Sequence, residues 1–423
     1  MRLKLPYGSG FWEEDVPELC EALFLRPAEV LNPVPNLDQA ISQALASPLG
    51  SPRLRDLARP DDTVAVVISD ATRPSPSNRF LKGLLSEFEQ ACVPLENVTV
   101  VVGTGTHRPS TPEELVKMVG EEHLVRLRVV VHKSNDAASQ VYLGETRRGV
   151  PVWLNRAVVE ASLRVATGVI TPHHSLGYSG GRKAILPGVA GDRTVHVHHS
   201  SPIHPARPAF GRLEGNPAHE EALEAARMLG VHFLVNAVPD PHGRGFLGVV
   251  AGNLERAHQA GVALCARAAR APFSELSDLT ITCPGGYPRD IDLHQAQKAL
   301  SVAEMVTRPG GVIVLVAECR NGTGTEFARW LQEAQAPQEV IERFEVVGWS
   351  EASGKAMMFA RAAAEYTVIL VSENFDQDFV ESLFLHKADS LREAVGHARE
   401  ILGSQPHTTV IPRAGGLIPI SRP

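Results

Sequence analysis

LRVATGVITPHHSLGYSGGRKAILPGVAGDRTVHVHHS, residues Leu163–Ser200, is the stretch from which the rest of the chain can be read. It opens with an apolar, partly β-branched run, Leu163–Val169, the pattern of a strand buried on both faces of a parallel sheet. A loop rich in Gly and Ser follows. Gly177, Gly180 and Gly181 let backbone N–H groups approach a ligand and permit positive φ. Such a loop ahead of a helix suits a phosphate. Lys183 ends the loop, where its amine can act as a point charge or a nucleophile. His196, His198 and His199 come next, and imidazole is a common ligand of transition metals. A Gly-Gly-Arg-Lys alone is commonly a solvated turn, and a His-rich loop alone is commonly surface. Their succession after a buried strand marks a functional site.

Two earlier strands end the same way. Thr63–Ser69 is a continuous apolar run that stops at Asp70-Ala71-Thr72-Arg73-Pro74, and Val98–Val102 ends in Gly103-Thr104-Gly105-Thr106-His107-Arg108-Pro109. Ser77 reads as the cap of a helix to about Cys92, and Thr111 with Glu114 as a capping box. Leu127–Val131 is a further strand and Val141–Leu154 a hairpin. Open α/β sheets bind ligands at the carboxyl ends of their strands, so the three loops are expected to converge on one crevice. There, Asp70 can take a ribose hydroxyl or form a local ion pair, and Arg73 can grip a carboxylate or phosphate with two donors. His107 suits a general base as well as a structural role; its Gly-Thr-Gly-Thr lead is neither a dinucleotide fingerprint nor a P-loop. His173 and His174 are adjacent, so one of them at most is expected to face the crevice.

After helices at Asn216–Leu229 and Asn253–Ala269, around a β region at Phe233–Gly252, a linker is expected at Arg270–Glu275. A second α/β series follows: strands at Leu279–Cys283, Gly311–Ala317 and Tyr366–Val371, with helices at Asp292–Val306 and Ser390–Leu402 among them. Gln295 and Lys298, one turn apart, share a helix face and can meet a carboxylate together. The 423 residues thus divide into an α/β domain at 1–272, a second at 273–405, and a segment at 406–423. The pattern leaves that segment's partner sheet open, with a return to the first domain as one reading. A net charge of −7 gives no nucleic-acid footprint, and 5% aromatic residues leave few platforms for stacking bases. Five cysteines without C-x-x-C spacing fit reduced thiols in a cytoplasm, and no apolar run reaches membrane length.

The segments DATRP (70–74), GTGTHRP (103–109), PHHSLGYSGGRKAILPGVAG (172–191), HHS (198–200) and CPGGYPRDIDLHQAQKAL (283–300) resemble, in order, the nickel-pincer nucleotide-dependent lactate racemase family. That family includes other 2-hydroxyacid racemases and epimerases. The resemblance implies two α/β domains with mainly parallel sheets and an active-site cleft between them. It implies a racemase or epimerase that moves hydride reversibly through a 2-ketoacid. Its cofactor is pyridinium-3,5-bisthiocarboxylic acid mononucleotide carrying nickel, covalently attached at Lys183, with His199 as the protein ligand to nickel. Soft sulfur with imidazole suits Ni(II). His107 and His173 are then the acid/base pair, and Arg73, Gln295 and Lys298 hold the substrate carboxylate. Asp70 and Gly180-Gly181 hold the ribose and phosphate side. The implied partners are a small 2-hydroxyacid and the proteins that make the cofactor, with no nucleic acid or membrane; monomer and homodimer both fit.

The sequence departs from the family at His294, where tyrosine is frequent, and Trp349 lies near a late family aromatic without a local pattern to fix it. Arg289 and His294 are extra cations for a second carboxylate, or surface groups. A zinc-type metal-dependent hydrolase built from His196, His198 and His199, with Asp192 as its carboxylate, is the alternative. A nucleotide-sensing protein that kept the loop without the chemistry is a third reading.

Overall fold

The computed structural model describes residues 1–422, which fall into two compact units. The inner unit holds Val30–Pro205 and Ala209–Ala268; the outer unit holds Met1–Glu29, Ala206–Pro208 and Ala269–Pro423. Among the described residues no helix is long and apolar enough to cross a membrane.

The inner unit is built on a six-stranded sheet. Its spatial order is Phe246–Gly252, Phe233–Pro239, Leu163–Val169, Val64–Ser69, Val98–Gly103, Arg128–Val131. All neighbours are parallel except the first pair. Side chains alternate across a strand, so Val64, Val66, Ile68, Val98, Val100, Val102, Val165 and Val235 form one buried face. Helix Ser77–Gln90 covers it with Phe80, Leu81, Leu84 and Phe88, an i, i+1, i+4, i+8 stripe. Each large side chain so buried contributes roughly 1.5–3 kcal/mol. Truncating Phe80 to alanine is therefore expected to cost about 3–5 kcal/mol through the cavity it leaves. The helix begins at Ser77 and its cap position is Pro76; the Ser77 hydroxyl meets Ser75 Oγ at 3.1 Å, so it is not the expected cap. The Thr111–Glu114 capping box is present.

Strand order explains where the loops go. The chain starts at Val64–Ser69, adds two strands on one side, then returns to lay Leu163–Val169 on the other. Direction reverses between those two strands, and at such a point the connecting loops part and leave a crevice beyond the carboxyl ends. The loops after Ser69, Gly103 and Val169 all emerge there.

In the outer unit six parallel strands run in the order His386–Ala388, Thr367–Val371, Thr307–Val316, Ser277–Thr282, Thr408–Ile411, Leu23–Phe24. This replaces the boundaries 1–272, 273–405 and 406–423. Thr408–Ile411 is fully buried and pairs with Ser277–Thr282, so the terminal segment stays in this unit. The first residues join it too, because Leu3, Leu5 and Tyr7 pack with Leu279 and Ile281 in one core. Arg270–Phe273, expected as a linker, is a strand parallel to Ile418–Ser421.

Candidate active site

Asp70 leaves the central strand of the inner sheet and is buried, 5% exposed. Its Oδ2 lies 2.7 Å from His107 Nδ1, and its Oδ1 accepts from Thr72 Oγ1 at 2.8 Å. Burial would raise this carboxyl, but the His107 and Thr72 hydrogen bonds and the Arg73 charge outweigh it and hold it below the usual range. An ionised Asp70 accepts a hydrogen bond from His107 Nδ1–H, which in the neutral imidazole leaves the lone pair on Nε2. Asp70 therefore orients a histidine. Arg73 is exposed one turn on, its N–H bonded to Asp70 O at 3.2 Å.

The loop after Val169 is pinned by Ser179, whose Oγ accepts from Thr171 N and donates to Val169 O, both at 2.8 Å. Pro172–His173 pairs with Gly177–Tyr178 as a two-residue hairpin. The strand ends at His173 and the chain turns, so strand alternation does not separate the next side chain. The rings of His173 and His174 stack at 4.6 Å and 19°, against the expectation that the two would diverge. His173 Nδ1 accepts backbone N–H bonds from Ser175 at 3.3 Å and Leu176 at 3.2 Å. Backbone amides can only donate, so the neutral ring carries its proton on Nε2. That atom is 3.0 Å from Lys183 Nζ. The Lys183 amine is thus held against the His173 ring.

Gly180 and Gly181 do not open toward a ligand. Gly181 N donates to Asn236 Oδ1 at 2.8 Å, and both glycines are buried. A Cβ at Gly180 would lie 2.6 Å from Asn236 Oδ1, and one at Gly181, whose φ is +54°, 2.7 Å from the His258 ring. Close packing and a left-handed backbone require these glycines. The turn they make carries Lys183, and Gly105 N–H donates to Gly188 O at 2.9 Å, tying the His107 loop to the Lys183 loop.

The histidine run lies on helix Asp192–His199 and splits by face. His196 is exposed, so the three-histidine centre of the hydrolase reading does not form. His198 Nε2 lies 2.7 Å from Ala218 O and must donate to it, leaving a lone pair on its Nδ1. His199 Nδ1 sits 3.1 Å from that atom and 3.1 Å from Val195 O, both acceptors, so it carries the proton. The lone pair of His199 is then on Nε2, the state of a metal ligand, with its tautomer fixed from behind. Burial pushes His198 down to about 4 and His199 well below its usual value, so both are neutral. Among the described residues no group of three or more His, Cys, Asp or Glu stands ready to hold a metal. A metal on His199 needs donors that it brings along.

In the outer unit Asp292 caps helix Leu293–Ala303 through Gln295 N at 2.7 Å. Lys298 Nζ donates to Gln295 Oε1 at 2.6 Å, so the pair shares a face as expected. His294 Nδ1 lies 3.0 Å from Thr325 Oγ1. Lys355 was missed: it is buried, donates to Gln297 Oε1 at 3.0 Å, and is pushed down to about 7 by burial and by Lys298. Asn236 was missed too. Its signal was a lone amide inside the apolar strand FLVNAVP, and that of Lys355 a lone cation on an apolar helix face.

Residues 7–210 match the lactate racemase N-terminal domain and residues 274–418 the lactate racemase C-terminal domain. Lactate racemase of Thermoanaerobacterium thermosaccharolyticum is 32% identical over 416 residues, 97% of each chain. Lactate racemase of Lactiplantibacillus plantarum is 33% identical over 390 residues, 90% of each. The lactate racemase apoprotein structure from T. thermosaccharolyticum aligns with a TM-score of 0.91 at 31% identity, covering 99% of this chain and 100% of that one. Architecture and relatives define an α/β isomerase of the racemase type. The chain belongs to the lactate racemase family.

Proposed function

We propose that this racemase inverts C2 of a small 2-hydroxyacid, lactate or a close relative, by hydride transfer through a 2-ketoacid. The observation that carries the reading is the pair of histidines on loops either side of Asp70, one with Nδ1 on a carboxylate and the other with Nδ1 on backbone amides. Hydride loss from C2 must be matched by proton loss from the hydroxyl. His107, with Asp70 behind it, presents a lone pair on Nε2 to take that proton and returns it when C2 is reduced again. His173 presents Nε2–H and serves the other enantiomer, exchanging its proton with solvent. Arg73 grips the carboxylate and fixes which face of C2 is presented. Gln295 and Lys298 are its further carboxylate contacts on the family resemblance, and their mutual hydrogen bond keeps the ammonium oriented.

The residues present fit a nickel-pincer nucleotide. Lys183 has the nucleophilic amine for the covalent attachment, and the neutral His199 has its lone pair on Nε2 for the nickel. Bound there, the group supplies an electrophilic acceptor for the C2 hydride.

The test is to produce the chain together with cofactor-making proteins and measure intact mass, nickel content and racemisation of a panel of 2-hydroxyacids by chiral chromatography. A mass increase that disappears in Lys183→Ala together with activity is expected. A Lys183→Ala variant that still racemises, or an unmodified chain holding zinc, overturns the reading.

A further inference from the structure

The carboxyl edge of the outer sheet gathers two arginines. The chain lays Ser277–Thr282 first, adds Thr307–Val316, Thr367–Val371 and His386–Ala388 on one side, then returns to place Thr408–Ile411 on the other. Direction thus reverses between Ser277–Thr282 and Thr408–Ile411, the position where open parallel sheets bind ligands beyond their carboxyl ends. The two segments that emerge there are Pro284-Gly285-Gly286-Tyr287-Pro288-Arg289 and Pro412-Arg413-Ala414-Gly415-Gly416. They are tied into one platform. Ala414 N donates to Cys283 O at 3.0 Å, Gly415 N to Pro284 O at 3.3 Å, and Cys283 Sγ to Pro412 O at 2.7 Å.

Both arginines lie on the glycines of this platform. Arg413 Nη1 donates to Gly285 O at 3.2 Å, and a Cβ at Gly285 would lie 3.4 Å from Arg289 Nη1. A Cβ at Gly415 would meet Arg289 Nε at 3.2 Å. Arg413 is exposed and Arg289 half-buried, so both side chains meet solvent. The acids of this region are engaged elsewhere. Asp290 is fully buried with its Oδ2 accepting from Gly8 N at 2.7 Å, and Glu318 is paired with Arg320 at 2.6 Å. Among the described residues Arg413 has no carboxylate at ion-pair distance. Burial, and then the like charge of Arg413, push Arg289 below its usual value. Two cations held on one glycine repel, and a shared anion reverses the sign of that interaction. We propose that Arg289 and Arg413 bind a phosphate group, its oxygens accepting from both guanidiniums. A carboxylate would bring one negative charge to two positive ones, whereas a phosphate dianion brings two, with oxygens enough for both planar forks. So held, it would also steady the loop ahead of helix Leu293–Ala303, the helix that bears Gln295 and Lys298.

The experiment is calorimetric titration of the full chain at pH 8 with inorganic phosphate and with ribose 5-phosphate, with acetate at matched ionic strength as the comparison arm. Saturable binding is expected for at least one of the two phosphates; the tighter of them tells a phosphomonoester from the free ion. It should weaken at least tenfold in Arg413→Gln, an exposed position whose exchange leaves the core untouched, and again in Arg289→Gln, checked for folding by circular dichroism. Lys183→Ala should bind as the unaltered chain does, which separates this site from the amine of the inner unit. Absence of saturation, unchanged binding in Arg413→Gln, loss in Lys183→Ala, or acetate binding as tightly as phosphate overturns the proposal.

Discussion

His107 and His173 are gripped at the same ring atom by opposite partners. At His107, Nδ1 faces a carboxylate and carries the proton; at His173, Nδ1 faces two backbone amides and carries the lone pair. The difference lies in what each loop supplies. The His107 loop is beside a strand end that ends in Asp70, whereas the His173 loop folds back on itself so tightly that its own N–H groups reach the ring. Two histidines of one type, in one sheet's crevice, thus meet opposite partners at the same ring atom. A reaction that must take a hydroxyl proton on one side and give one on the other needs that asymmetry.

The largest expected effects come from erasing one member. On the proposed assignment His107→Gln and His173→Gln each lower kcat/KM about 10²–10⁴-fold. Enantiomers have equal free energies, so kcat/KM stays equal in the two directions for any variant; kcat and KM are therefore read separately in each direction, and a variant that keeps the wild-type kcat/KM would show that the residue is misassigned. Asp70→Asn keeps the atoms but removes the charge that fixes the His107 tautomer, and is expected to cost about 10²-fold in kcat with little change in KM. A loss confined to KM would mean that Asp70 binds a ligand instead.

Legibility followed the range of the interactions. Val64–Ser69, Val98–Gly103 and Leu163–Val169 were readable because burial on both faces writes a continuous apolar run. The Thr111 capping box was readable because its partners are three residues apart. The Asp70–His107 bond was not, since it joins residues 37 apart through strand adjacency that no local pattern encodes. The contacts of Asp70 with His107 and of Gly181 with Asn236 were therefore not legible in the sequence. The membership of residues 1–29 was hidden for the same reason: their sheet contact is the two-residue strand Leu23–Phe24.

Smaller effects sharpen the His173 side. Gly181→Ala puts a Cβ 2.7 Å from the His258 ring and forces φ of +54° on alanine, for an expected loss of about 1–3 kcal/mol read from chemical denaturation. His258 itself is pushed down to about 3, chiefly by burial. Its folded form stays neutral while the unfolded ring protonates below about 6.5, so stability should fall as pH drops from there toward 4, by up to about 1.4 kcal/mol per pH unit. Thermal midpoints across that range check the sign. Ser175→Ala removes only the 3.3 Å hydroxyl contact to His173 and keeps the backbone donor, so a change below about 1 kcal/mol is expected. A large effect would mean that the hydroxyl, not the amide, sets the tautomer.

The outer sheet has a consequence for how the protein is made. Leu23–Phe24 lies at its edge beside Thr408–Ile411, so two strands from opposite ends of the chain are neighbours. As the polypeptide leaves the ribosome, every residue of the catalytic half has emerged before Thr408–Ile411 exists. The half that bears Lys183 and the histidines can fold early, while the first 29 residues wait with Leu3 and Leu5 uncovered for the last strands to arrive. The first residues made are thus among the last to be covered, because the strands they pack against come from the end of the chain.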